Sequence, residues 1–215
     1  SSAVYFTQGI ETLPSQSLFY YLKETLRFSP EKIMAISSLI ALAWLVKPVI
    51  GYLLDHFLDK RAWILISLVG SMIGAATLGS HQLPITVLIV MLILGSAASA
   101  FRDVAVDGIM CVEGKKHNAT GKIQSVQWIS ISVATLLTGI GGGYLAEKWG
   151  YKAGFLCLIP FYALAGIFAY SYRTKEALRS ATHQKFIQDL KTLLSDKRLM
   201  TTGLFVFLYR FSPSF

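Results

Sequence analysis

Ile85-Thr86-Val87-Leu88-Ile89-Val90-Met91-Leu92-Ile93-Leu94-Gly95-Ser96-Ala97-Ala98-Ser99-Ala100-Phe101 carries no charge, and Arg102-Asp103-Val104-Ala105-Val106-Asp107 follows at once. A hydrocarbon core about 30 Å thick is spanned by about 20 apolar residues in a helix. The run is therefore the length of a membrane crossing. Ionisable groups at the end of such a helix are costly in lipid, so they face a water-filled pathway, a partner charge or the surface. Asp103 and Asp107, four residues apart, share one helical face.

Working outward, five further apolar runs of similar length lie near 3–21, 33–54, 62–80, 119–146 and 153–171, and another begins at Met200. With 53% hydrophobic and only 15% charged residues, the chain is not composed for water. No stretch alternates with period two between turn signals, and backbone groups in lipid must be satisfied inside a helix or a closed barrel. The expected fold is all-α and polytopic. Its expected parts are a six-helix bundle over 1–172, a linker over 173–199 and the start of a seventh helix over 200–215. Both ends are expected to be cut from a longer chain.

The net charge of +8 does not point to nucleic acid, because the basic residues sort by connection. Lys60, Arg61, Lys115, Lys116, Lys122, Arg173, Lys175, Arg179, Lys185, Lys191, Lys197 and Arg198 fall on one side. Lys23, Arg27, Lys32, Lys148 and Lys152 fall on the other, and Lys47, Arg102 and Arg210 lie inside apolar segments. The positive-inside rule makes the richer side cytoplasmic. Phe186, Leu190, Leu193 and Leu194 among the linker's basic residues suit an amphipathic helix on the inner membrane face. Cys111 and Cys157 fall on separate segments and imply no disulfide framework.

Segments three and six carry no charge, so they are expected to face lipid while the other four enclose something polar. In segment one, Gln8, Glu11 and Ser15 share a face beside the helix-breaking Pro14. A carboxylate at mid-membrane is either a proton-coupling group or the partner of a cation or amide on a neighbouring helix. Lys47, Arg102 and Asp103 reach similar depth, about 1.5 Å per residue along their helices. They suit either an anion clamp of Lys47 and Arg102, balanced by Asp103 and Asp107, or an inner gate of ion pairs. Gln124 and Gln127 are candidate hydrogen-bond partners at that depth. Gly139, Gly141, Gly142 and Gly143, with Gly70 and Gly74, are expected to allow close helix approach. No Walker pattern is present, and no cofactor or metal site is expected.

Gly51-Tyr52-Leu53-Leu54-Asp55-His56-Phe57-Leu58-Asp59-Lys60-Arg61 resembles the signature loop of the major facilitator superfamily. Within it, Trp44 through Gly51, Tyr5 through Gly9, Asp103 through Glu113, Gly121 through Trp128 and Phe207 through Ser214 resemble the folate-biopterin transporter family, in the same order along the chain. The chain departs from that family in its short 55–61 loop and in Gly108 after Asp107. The resemblance implies a twelve-helix carrier, not an enzyme, of which this chain is the first half plus the start of the second. It implies folates or pterins as substrates, protons as the driving ion, and a bacterial inner, plasma or plastid membrane as the location. Gln8, Glu11, Lys47, Arg102, Gln124, Gln127 and Trp128 become substrate-contact candidates, and Glu11, Asp103, Asp107, Asp55 and Arg61 coupling or gate candidates. Phe6, Phe19 and Tyr20 join Trp128 as aromatics able to stack on a pterin. Two other readings stay open. One is a membrane-embedded enzyme using Asp103 and Asp107 with Asp55 and Asp59, and the other a carrier for a different organic anion or a non-transporting receptor or assembly half that binds a pterin.

Overall fold

The computed structural model describes residues 2–171, 195–198, 200–202 and 204–205, and these residues are helical or connect helices. Residues 2–171 form six rods. The first is α1 (Ser2–Ile10), α2 (Leu13–Tyr20) and a π-helical turn (Tyr21–Thr25). The second is α3 (Pro30–Leu45) followed by α4 (Lys47–His56). Then come α5 (Lys60–Ser80) and α6 (Ile85–Lys116). The last two rods come from α7 (Thr120–Leu156), which breaks at Gly150, and α8 (Leu158–Ser171). Gly150 turns the chain with φ of 71°, where a residue with a Cβ would be strained. Four helical stretches, Pro30–Asp55, Lys60–Ser80, Ile85–Lys116 and Thr120–Ser171, are long and apolar enough to cross a membrane. The chain is an all-α, multi-pass integral membrane protein.

Three rods are interrupted, each near a proline: the sixth at Cys157, between α7 and α8 and three residues before Pro160, and the first two as follows. Pro14 has no N–H to give the carbonyl one turn back, and the chain turns at Glu11–Thr12 before α2 resumes. Thr12 Oγ1 sits 2.7 Å from Thr138 Oγ1 of α7, which pins the turn. Pro48 has the same effect on the second rod, where Val46 leaves helical geometry (φ −85°, ψ 3°) and Lys47 becomes the first residue of α4. Ser29 has the extended backbone of a helix cap and Pro30 follows as the first helical residue, as their sequence predicts.

The core runs along α1, α5, α6, α7 and α8, with Leu68, Leu88, Ala100, Ala105 and Ala134 nearly sealed. This corrects the expectation that the charge-free segments only face lipid. Ile66, Val69 and Ile73 of α5 do face outward, but Ser67, Leu68 and Ser71 are buried, as is Tyr162 of α8. A helix without charge can still offer hydroxyls to a neighbour. The more outward helix is α3, where Met34, Leu39, Leu42 and Leu45 are exposed and Ile33 alone is buried.

The glycines divide as well. A Cβ on Gly142 would lie 2.8 Å from the Leu13 carbonyl, so close approach holds there, whereas one on Gly70, Gly74 or Gly139 would meet nothing within 4 Å. The tightest contact in the first rod is at Gly9, whose added Cβ would sit 2.5 Å from Ala134 Cβ and 2.7 Å from the Ile131 carbonyl. Backbone must shift to admit it. Gly9→Ala is expected to destabilise the folded protein by about 1–3 kcal/mol. Gly70→Ala, in open space, is expected to hold or gain up to about 1 kcal/mol from helix propensity. Thermal unfolding in detergent, followed by size-exclusion chromatography, separates the two; equal midpoints would remove the packing argument.

Beyond Ser171, the sequence-predicted linker helix and the 207–214 motif lie outside the described residues. Those described form a helical start, in which Asp196 Oδ1 accepts the Arg198 N–H at 2.9 Å and the Asp196 carbonyl accepts that of Met200 at 2.9 Å.

Candidate functional site

Arg102 and Asp103 are neighbours on α6, so at 3.6 residues per turn their side chains diverge by about 100°. That divergence sends them to the first and second rods. Arg102 turns to the first rod and forms an ion pair with Glu11, while Asp103 turns to the second and takes Lys47 at 2.6 Å. The interruptions of the first two rods thus each carry a charge that α6 answers.

The Glu11 and Arg102 cluster is the deeper one. The Arg102 side chain is 1% exposed and that of Glu11 18%. Besides Glu11, the guanidinium donates to Ser71 Oγ and Ser99 Oγ, each at 3.3 Å, and lies over the Tyr162 ring at 5.7 Å. Ser99 in turn donates to the second Glu11 oxygen at 2.7 Å. A buried ion pair is tolerated in low dielectric only when such extra hydrogen bonds satisfy its remaining donors and acceptors. Here α5 and α6 supply them, and α8 adds the face of the Tyr162 ring.

The Lys47 and Asp103 pair is shallower on one side, with Lys47 36% exposed and Asp103 7%. Lys47 also lies 4.5 Å from the centre of the Trp44 ring. A cation at the first residue of a helix opposes the positive end of the helix dipole, so Asp103 compensates two unfavourable charges at once. One turn further along α6, the Tyr5 hydroxyl of α1 donates to Asp107, which is otherwise exposed. Asp103 and Asp107 therefore share a face but serve different partners.

The anion clamp expected of Lys47 and Arg102 divides accordingly. Arg102 is enclosed and occupied by Glu11, and of the two cations Lys47 alone keeps substantial exposed surface. Glu11 and Gln8 border a cavity of about 590 Å³ that also reaches Trp44, Ser71, Ser99 and Tyr162. Gln127 is buried and its Nε2 has no partner among the described residues, whereas Gln124 and Trp128 are exposed on α7, away from both ion pairs. Phe6 packs on Phe161, Phe19 lines the cavity, and Tyr20 is exposed.

Asp55 reaches Lys60 at 3.9 Å across the 55–61 loop, and Arg61 donates to the Tyr170 carbonyl with its guanidinium 4.9 Å from that ring. Gly108 gives room to Lys60, whose Cε would lie 2.8 Å from an added Cβ. Ser71, Ser99 and Tyr162 complete the clusters but were not singled out by sequence, whereas Tyr5 and Trp44 entered only as the first residues of quoted motifs. Ser99 had a usable signal, lying one helical turn before Arg102 on the same face.

The chain matches the BT1 family over residues 8–209. It is 25% identical to the folate-biopterin transporter of Synechocystis sp. over 225 residues, covering 99% of this chain and 45% of that protein. Probable folate-biopterin transporters 4 and 2 of Arabidopsis thaliana are each 26% identical, over 75% and 66% of this chain and 35% and 30% of their own lengths. The chain thus spans less than half the length of these curated relatives. With the match running from Gln8 through both ion pairs to Tyr209, the chain belongs to the BT1 family.

Proposed function

We propose that the full-length protein is a secondary carrier importing folate- or pteridine-like anions together with protons by alternating access. In this reading residues 1–172 are the first six-helix half of a major facilitator fold. Residues 173–199 are a linker on the cytoplasmic face, and a second half completes the substrate path. The membrane is a plasma, bacterial inner or plastid membrane. Support comes from the curated relatives, named as folate-biopterin transporters, and from one observation above all: Glu11, at a break within a membrane helix, borders a cavity while paired to an enclosed Arg102. Protonation of Glu11 would release the guanidinium from its counter-ion, so the proton state and the packing of the first rod against α6 are linked. Lys47 is the anion contact, because a bound carboxylate can compete with Asp103 from the exposed side of the ammonium. Arg102 holds Glu11 in place, and Asp103 and Asp107 hold the inner ends of the first two rods.

The test is uptake of labelled folate and labelled pterin into proteoliposomes of the full-length protein, with and without an inward proton gradient. Gradient-driven uptake is expected in the wild type, and Glu11→Gln should lose the gradient dependence while still exchanging substrate across the membrane. Absence of uptake of both compounds by folded wild-type protein would overturn the reading.

A further inference from the structure

We propose that the end of the bundle where α5 begins binds an anionic phospholipid, with the lipid phosphate on Arg61 and an acyl chain in the cavity beside it. That cavity, of about 510 Å³, shares no lining residue with the one beside Glu11. It is enclosed by the first turns of α1, α5 and α7 and the C-terminal turns of α6 and α8. Helix ends bound the membrane crossing, so the cavity lies where head groups meet hydrocarbon. Its inner walls are the buried side chains of Ile64, Val106, Met110 and Ala169. Carbon walls of this kind disfavour a space filled only by water.

Arg61 is the charge in this apolar setting. Its Nη2 donates to the Tyr170 carbonyl in the last turn of α8, and its guanidinium lies 4.9 Å from the Tyr170 ring centre. Those contacts fix the group without neutralising it. Its Nε–H is buried with no acceptor, and no carboxylate among the described residues forms an ion pair with it. A guanidinium does not shed its proton, so a buried free N–H and an unanswered charge both call for an anion. Glu113, the other charged lining residue, is 35% exposed and lies 3.5 Å from His117 Nε2, so it keeps water and a partner of its own. The opening decides what kind of anion enters. Phe168 is the exposed lining residue, and it shares the outer face of α8 with the exposed Leu164 and Ile167. In a membrane protein that face meets hydrocarbon, where a phospholipid can slide in sideways and a soluble anion cannot. Phosphate oxygens suit the guanidinium fork. Lys115, Lys116 and Lys122 are exposed at the same end, which favours a head group of net negative charge over a zwitterion.

The probe is phosphatidylglycerol with a photoactivatable diazirine in its acyl chain, at trace level in phosphatidylcholine nanodiscs holding the full-length protein. Crosslinks read by peptide mass spectrometry are expected on Val106 and Met110, which lipid around the bundle cannot reach because both are buried. Replacing part of the phosphatidylcholine with unlabelled phosphatidylglycerol should cut this labelling at least fivefold, while inorganic phosphate leaves it unchanged. Arg61→Gln should lower it at least fivefold, and Lys122→Gln, basic at the same end but not a lining residue, should leave it as in the wild type. Competition by inorganic phosphate would make this a soluble-anion site and overturn the proposal. So would labelling indifferent to added phosphatidylglycerol, an equal loss in both variants, or no crosslink at these two residues in folded wild-type protein. The competition uses the wild type, so its outcome does not depend on how a variant folds. Uptake plays no part in it, so the carrier reading stands or falls separately.

Discussion

Arg102→Met is expected to lower the stability of the folded protein by about 3–5 kcal/mol, and adding Glu11→Gln is expected to restore most of that loss. Arg102 and Glu11 are both inside the bundle, so removing the cation strands a carboxylate whose remaining donor is Ser99. The single variant also leaves Ser71 without the guanidinium and Tyr162 without the charge over its ring. Neutralising both partners removes the uncompensated charge and leaves methylenes and an amide of similar volume. A double-mutant cycle read by chemical or thermal unfolding in detergent measures the coupling directly. Additive losses would mean that the two side chains do not stabilise one another, and the proposed link between the Glu11 proton and helix packing would go with them.

Lys47→Met should show the opposite balance, with a modest cost in stability and a large cost in binding. Asp103 is nearly as enclosed as Arg102, but Lys47 is 36% exposed and water screens the pair from that side. A stability loss of about 1–2 kcal/mol is expected, smaller than for Arg102. For a ligand bearing a carboxylate, loss of a charged hydrogen bond of about 1.5–3 kcal/mol corresponds to roughly a 10- to 150-fold weaker affinity. Pterin, which has no carboxylate, should bind Lys47→Met as it binds the wild type. Isothermal titration of folate and pterin against both proteins separates the outcomes. Equal folate affinity would assign Lys47 to holding α4 against α6 and not to the anion.

Both predictions turn on partners that were only partly legible in the sequence. The apolar lengths made the rods readable, because membrane thickness fixes how long a helix must be. The charges stood out because they are rare at that depth. What periodicity could not supply was pairing across helices. Arg102 and Asp103 are adjacent in sequence, and pairing them with each other is the local guess, whereas a helix points neighbours apart and each finds its partner some 56 or 91 residues away. Neutral polar residues were harder still. Ser71 and Tyr162 lie in segments with no charge, and a serine or tyrosine in a membrane helix has no distinctive spacing. The glycines misled in part, since the same residue type marks close approach at Gly142 and bare cavity wall at Gly74, and only the neighbouring helix decides which.

The breaks in the first two rods have a mechanical consequence. Each lies at the level of an ion pair, so the second rod meets α6 at a joint with a latch beside it. Above the joint, α3 is 16 residues long, about 24 Å at 1.5 Å per residue. A lever of that length turns a tilt of about 5° at Val46 into about 2 Å of travel at Pro30. Much of α3 is exposed and Ile33 is its one buried residue, so the core grips little of the arm. Drawing Lys47 away from Asp103 by a bond length therefore acts at the short end of the lever, and the displacement is largest at Pro30, the far end of α3.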